Sequence, residues 1–270
     1  MINPILVRIG PIAIHWYGVL IVGGALLSAY AASREASHRG QDPEAVWDML
    51  IWVLFLGIVG ARLYHVFSTP AGGQLGWPYY KQHPLEAFKI WQGGLAIYGA
   101  LAGGVLGVAT YAWRHHLNLV LWLDIIFPTV LIGQAVGRWG NFINQEVYGY
   151  PTNLPWGLYI PPERRLPGLE QYDHFHPVFL YESIGCIIGF FIISWLGRRF
   201  DNKLLPGDRI ALYFLWYPTL RIFTESLRPD AWTVGGWPMA QVLSLIMVLA
   251  AALFILLRHT VLKPSEKPAS

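Results

Sequence analysis

The chain has 270 residues, of which 54% are hydrophobic and 13% charged, with a formal net charge of +3. A soluble domain carries about 25% charged residues, so an ordinary soluble globular protein is excluded; the small, dispersed positive charge also excludes a nucleic-acid binder. Thirteen Trp and 14 Tyr fit a polytopic membrane protein with aromatic interfacial belts, built as a single domain over residues 1–270.

In chain order, seven apolar runs approach the roughly 20 residues a helix needs to cross a bilayer. They predict spans near 12–32, 46–67, 94–113, 119–138, 178–197, 208–226 and 237–257. The first contains His15, Trp16 and Tyr17 and reads as an anchored helix rather than a cleaved signal. The connection 68–93 carries an amphipathic piece, Pro84 to Trp91, with Leu85, Phe88 and Trp91 expected towards lipid. The third span has Gly99, Gly103 and Gly107 at i, i+4 spacing, which allows close approach of another helix. The fourth and sixth contain Pro128 and Pro218. Residues 139–177 form the largest extramembrane segment, with five prolines between Pro151 and Pro167, and are expected to be a small irregular head. Residues 259–270 form a tail.

The expected fold is therefore an all-α polytopic membrane protein: seven transmembrane helices with a small extracytoplasmic head between the fourth and fifth. Placing the C-terminus in the cytoplasm puts ten Lys/Arg, including Arg34, Arg198 and Lys203, on that side, and six on the other. The positive-inside rule then sets the N-terminus and the head outside. The lone Cys186 rules out an internal disulfide and a cysteine metal site. It reads as a packed or lipid-facing residue.

Polar groups concentrate at a few membrane edges, where charge is costly and usually functional. The densest run is Gly137-Arg-Trp-Gly-Asn-Phe-Ile-Asn-Gln-Glu-Val-Tyr-Gly149. Arg138 offers a permanently charged fork of donors that suits a phosphate. Asn141 and Asn144 share a face if the helix continues, and Glu146 is placed to hold Arg138 or to orient a substrate. Gly137, Gly140 and Gly149 supply close-approach backbone. The second group is the helical stripe Tyr217, Arg221, Glu225 and Arg228, in which Arg221 and Glu225 are spaced for an i, i+4 pair. Lesser features are His15-Trp-Tyr-Gly18, Tyr98 at the start of the glycine-rich helix, Arg62, and His176-Pro-Val-Phe-Leu-Tyr-Glu182. Asp173, His174 and His176 are spaced too loosely for a metal site.

The first run resembles the signature of the bacterial prolipoprotein diacylglyceryl transferases, Gly-Arg-x-Gly-Asn-Phe-x-Asn-x-Glu-x-x-Gly. The stretches His15 to Gly18, Trp91-x-Gly-Gly94, His176-Pro with Leu180-Tyr-Glu182, and Tyr217 to Arg228 extend the resemblance, in order, over nearly the whole chain. It implies transfer of the sn-1,2-diacylglyceryl group of phosphatidylglycerol to the lipobox cysteine thiol of a preprolipoprotein. A thioether forms and sn-glycerol 1-phosphate leaves. The implied setting is the bacterial cytoplasmic (inner) membrane, and no cofactor or metal is called for.

By the same resemblance, Arg138 and Arg221 are expected to bind the head group and leaving group. Glu146 and Glu225 are expected to orient those arginines or the glycerol hydroxyls. Asn141, Asn144, Tyr17, Tyr217 and Arg228 are expected to complete the polar cavity, and Gly149 to serve as a backbone requirement. Some family members carry a histidine, proposed as the thiol's base, where this chain has Tyr98. A phenol, with a pKa of about 10, is a weak base at neutral pH. The base therefore lies elsewhere, or Tyr98 acts as phenolate beside an arginine, or it only positions the lipid. The competing reading from composition is an anionic lipid or solute transporter or flippase. An odd span count and the lack of an inverted repeat weigh against it.

Overall fold

The computed structural model describes residues 3–10, 12–68, 76–90 and 93–261. Trp91, expected towards lipid, and tail residues 262–270 lie outside them. The described chain is mostly helical. Its long helices are α1 (Trp16–His38), α2 (Glu44–Phe67), α4 (Ile97–Arg114), α5 (Leu119–Asn144), α6 (Val178–Arg199), α7 (Asp208–Ser226) and α8 (Met239–Thr260), with a short α3 (Trp77–Gln82) after α2. Five of them (α1, α2, α5, α6 and α8) are long and apolar enough to cross a membrane. Large side chains such as Phe55 (62% exposed) and Phe191 (64%) stand uncovered on their outer faces. Such faces suit a hydrocarbon solvent rather than water. The remaining two, α4 and α7, have 18 and 19 residues.

Three departures from the sequence reading concern boundaries and composition. Residues 12–15 are not helix: β2 (Ile12–His15) pairs antiparallel with β1 (Ile5–Ile9), so the first span begins at Trp16. At the other boundary, α5 continues to Asn144, which moves the start of the head from 139 to 145. Nor is the fold purely α. Two further two-residue pairs occur, β3 (Leu158–Tyr159) with β4 (His174–Phe175) and β5 (Thr233–Val234) with β6 (Trp237–Pro238).

The chain divides into two compact units, one of the described residues up to Ala31 and from Asp124 onward, the other of those from Ala32 to Leu123. In the second unit, α2 and α4 meet through backbone. A Cβ on Gly107 would lie 2.8 Å from the Trp52 carbonyl carbon, and one on Gly103 would strike the Leu56 carbonyl. The predicted i, i+4 glycines are thus the contact surface itself, and the partner helix is α2.

In the first unit a core of Leu131, Ala135, Cys186, Ile193 and Tyr213 joins α5, α6 and α7. Asp124 of α5 accepts from the backbone N–H of Gly207 (2.7 Å) and Ile210 (3.1 Å). It thereby supplies the N-terminus of α7 with acceptors that the helix lacks on its own. The head has its own small core of Tyr148, Ile160 and Phe175. Tyr148 accepts from Leu166 N–H (2.7 Å) and donates to the Arg164 carbonyl (2.8 Å). Proline-rich as it is, the head is a folded element rather than irregular chain.

Candidate active site

Three helices of the first unit converge on one carboxylate. Glu182 lies in the second turn of α6 and is fully buried. Its Oε2 pairs with Nε of Arg138, from α5, and its Oε1 accepts from Arg221 of α7 at 2.5 Å. Thr224 donates to the same Oε1 at 2.7 Å. A buried carboxylate is tolerable only when it is paired and hydrogen-bonded; here Oε1 takes the hydrogen bonds and Oε2 is held by its ion pair with Arg138.

The stripe on α7 continues the network outward. Arg221 also pairs with Glu225, four residues on, as its spacing predicts. Glu225 in turn accepts from Arg228 at 3.3 Å, and Arg228 makes a two-pronged contact with Asp230 at 3.1 Å each. Tyr217 accepts from Nη2 of Arg138 at 3.2 Å and stacks on Tyr213. The arginine side chains are not sealed: Arg138 is 20% exposed and Arg221 15%. Three arginines face three carboxylates, Glu182, Glu225 and Asp230, so the network is neutral as it stands.

Glu146 is arranged differently from its expected role. It does not hold Arg138, which belongs to Glu182. Instead its Oε1 accepts from Asn141 and Asn144, each at 3.1 Å. The asparagines do share a face because α5 continues, and the chain then doubles back. Gln145 and Val147, on either side of Glu146, adopt left-handed φ values of 53° and 59°. That is rare for any non-glycine residue and an outlier for a β-branched one; such strain clusters at functional sites.

Among the signature glycines, Gly140 receives the ring of Tyr17. A Cβ on Gly149 would lie 2.7 Å from His176 Cβ and 2.9 Å from the Leu227 carbonyl oxygen. Gly137 is different, since a Cβ there would meet only Ile21 at an ordinary 3.5 Å. Its close-approach role is not supported.

Tyr98 belongs to the second unit. It opens α4, is 57% exposed, and its ring lies 5.9 Å from that of Tyr64. Nearby in that unit, the buried Arg62 donates to the carbonyls of Glu86 and Ala87 at 2.7 Å, Gly93 at 2.8 Å and Gly94 at 3.1 Å. No carboxylate pairs with it among the described residues. A Cβ on Gly94 would fall 2.6 Å from the Arg62 guanidinium, so glycine is required for the turn that leads into α4.

Two residues were not singled out as site residues by sequence reasoning. Glu182 was noted only as the end of a motif, and Thr224 not at all. Glu182 did leave a signal: it is the only charge in the apolar stretch Val178 to Leu196, and a charge at that depth implies a partner. Nothing in the spacing says that the partners sit on two other helices.

The arrangement holds two partly exposed guanidinium groups against one buried carboxylate, with a tyrosine hydroxyl beside Arg138. Comparison with known proteins adds a family match. The model of the family described as prolipoprotein diacylglyceryl transferase matches residues 4–257. Curated relatives named phosphatidylglycerol–prolipoprotein diacylglyceryl transferase align over most of their length. The one from Synechocystis sp. is 39% identical over 250 residues, 92% of this chain and 86% of the relative. That from Trichormus variabilis is 41% identical over 246 residues, 90% and 85%. That from Streptococcus pyogenes is 38% identical over 259 residues, 96% of each.

Proposed function

The chain belongs to the prolipoprotein diacylglyceryl transferase family, and on that premise we propose that it moves the diacylglyceryl group of phosphatidylglycerol onto the lipobox cysteine thiol of a preprolipoprotein. The carbon–oxygen bond between the glycerol carbon and the phosphate breaks as the carbon–sulfur bond forms. Glycerol 1-phosphate leaves with the bonding electron pair, and the thiol proton goes to a base. The observation that carries this reading is the pairing of Arg138 and Arg221 on the buried Glu182.

The lipid phosphate is a monoanion that gains charge as it departs. Fixed cations at that position lower the barrier because they need no reorganisation during the reaction. Arg138 and Arg221 take that role, with Tyr217 beside Arg138. Glu182 fixes their separation, and Glu225 and Arg228 extend the network towards the membrane edge. Asn141, Asn144 and Glu146 form a neutral-to-acidic patch suited to the free glycerol hydroxyls of the head group. Tyr17, against Gly140, closes one side. Gly149 keeps the head close to the C-terminal end of α7.

The two glutamates of the ion-pair network are both engaged by arginine. Tyr98, in the other unit, keeps its three readings: the base lies elsewhere, Tyr98 acts as phenolate, or it only positions the lipid. All seven long helices span the bacterial inner membrane in this reading, with the N-terminus and the 145–177 head outside and the tail inside; the positive-inside count supports that orientation. The whole chain acts as one transferase domain. The test is reconstitution in vesicles containing phosphatidylglycerol, with a lipobox peptide and mass spectrometry of the product. A diacylglyceryl mass added to the cysteine is expected. A folded protein that leaves the peptide unmodified overturns the reading.

A further inference from the structure

The head carries a cleft that the proposed transfer chemistry does not use. It has a volume of about 980 Å³ and is walled by Tyr150, Pro151, Leu154, Leu169, Tyr172 and Asp173 among others. Its tyrosines are half-exposed, Tyr150 at 48% and Tyr172 at 46%. Its lining mixes tyrosine, leucine and proline with the polar side chains of Thr152, Asn153, Asp173 and His174, a mixture that can meet both the side chains and the backbone groups of a bound ligand.

Charge narrows the occupant. None of the lining side chains is lysine or arginine, and the one ionisable acid among them, Asp173, is bonded to His174 at 2.8 Å. A surface meant for anionic lipid head groups collects basic residues, and this one has none. Aromatic, proline and small polar walls suit an extended polypeptide instead.

Connection to the candidate site narrows it further. Tyr150 donates its N–H to the Leu227 carbonyl at 2.8 Å, and Leu227 precedes Arg228 of the ion-pair network. Gly149 donates to the His176 carbonyl at 2.9 Å. From Glu146 to Tyr150 is four residues, at most about 14 Å of chain. The cleft therefore begins where the site ends.

We infer that the head cleft binds the substrate polypeptide just C-terminal to its modified cysteine, over roughly the first half-dozen residues. This rests on the proposed function, and it adds a second recognition site on the protein substrate. Its contribution falls on peptide affinity and not on lipid affinity or bond breaking.

The experiment uses the full chain in phosphatidylglycerol vesicles and two peptides with the same signal segment. One ends directly after the cysteine and the other continues for ten residues. The longer peptide is expected to have a KM lower by about fivefold to tenfold, as for the loss of one or two interface anchors. Tyr172→Ala and Leu154→Ser should each raise the KM of the long peptide towards that of the short one. The short peptide's kinetics and the KM for phosphatidylglycerol should stay unchanged. Equal KM values for the two peptides with wild-type protein, which requires no variant to fold, would overturn the inference. So would variants that slow both peptides equally, or that shift only the KM for lipid, the mark of a membrane-docking surface. Transfer to neither peptide would overturn the proposed function itself, and this inference with it.

Discussion

Two arginine arrangements, one in each compact unit, contrast sharply. Arg62 is surrounded by four backbone carbonyls and, among the described residues, no carboxylate. Arg138 and Arg221 are held by the side chain of Glu182. Carbonyl ligands are dipoles fixed by the fold; they satisfy a cation and shape the loop that provides them. A carboxylate is a counter-charge on a neighbouring helix, and an arriving anion can take over part of its role. The first arrangement is a clamp on the chain between Glu86 and Gly94. In the proposed function, the second is a binding site with its own placeholder.

If that distinction is correct, the largest effect should come from Arg138→Ala or Arg221→Ala. Each removes a donor aimed at the leaving phosphate, and initial rates of peptide modification are expected to fall by about 10²–10³-fold. A wild-type rate in a folded variant would strip the cluster of its role. Tyr98→Phe comes next. A proton acceptor is worth about 10²-fold, so a fall of that size in kcat in the same assay marks the phenol as the base. An unchanged kcat would move the base elsewhere.

Glu182→Gln keeps the shape and removes the counter-charge. A loss of about 2 kcal/mol in arginine positioning is roughly 30-fold in kcat, and the KM for phosphatidylglycerol should not rise. A raised KM with normal kcat would mean that Glu182 serves lipid binding alone. Arg62→Gln should break the comparison in the opposite direction. Its main effect is expected on stability, about 2–4 kcal/mol from orphaned buried carbonyls, read as a lower Tm. Turnover per folded molecule should fall far less than in the Arg138 variant.

The smallest effect concerns the head. Burial pushes the Tyr148 phenol above its ordinary pKa. A group raised in the folded state contributes stability that is complete below its unfolded pKa of about 10 and is lost as pH rises through the folded value. Head unfolding followed by tryptophan fluorescence should therefore become easier above about pH 10. Tyr148→Phe should remove that pH dependence while lowering stability at neutral pH by about 1–2 kcal/mol, through its two lost hydrogen bonds.

Much of this was legible in the sequence. Apolar runs located the seven long helices of the described residues, five of them apolar enough to cross a membrane, and spacing alone predicted the Arg221–Glu225 pair. Length rules failed at residues 12–15, which pair as a strand with Ile5–Ile9 instead of opening the first helix. They also failed at the end of α5, because polar residues that would normally terminate a span here continue the helix into the site. The Glu182 bridge and the carbonyl cage of Arg62 were beyond reach for one reason. Both depend on which distant backbone or helix is brought alongside, and no local period records that. The head was obscure because its strands are two residues long.

The fully engaged Glu182 also bears on selectivity. An empty site whose cations are already neutralised does not attract every passing anion. Chloride or a free carboxylate would have to displace a tethered competitor that never diffuses away. Phosphatidylglycerol can do so because its acyl chains and glycerol hydroxyls contribute binding of their own. The internal carboxylate thus sets an affinity threshold, and only an anion anchored at more than one point crosses it.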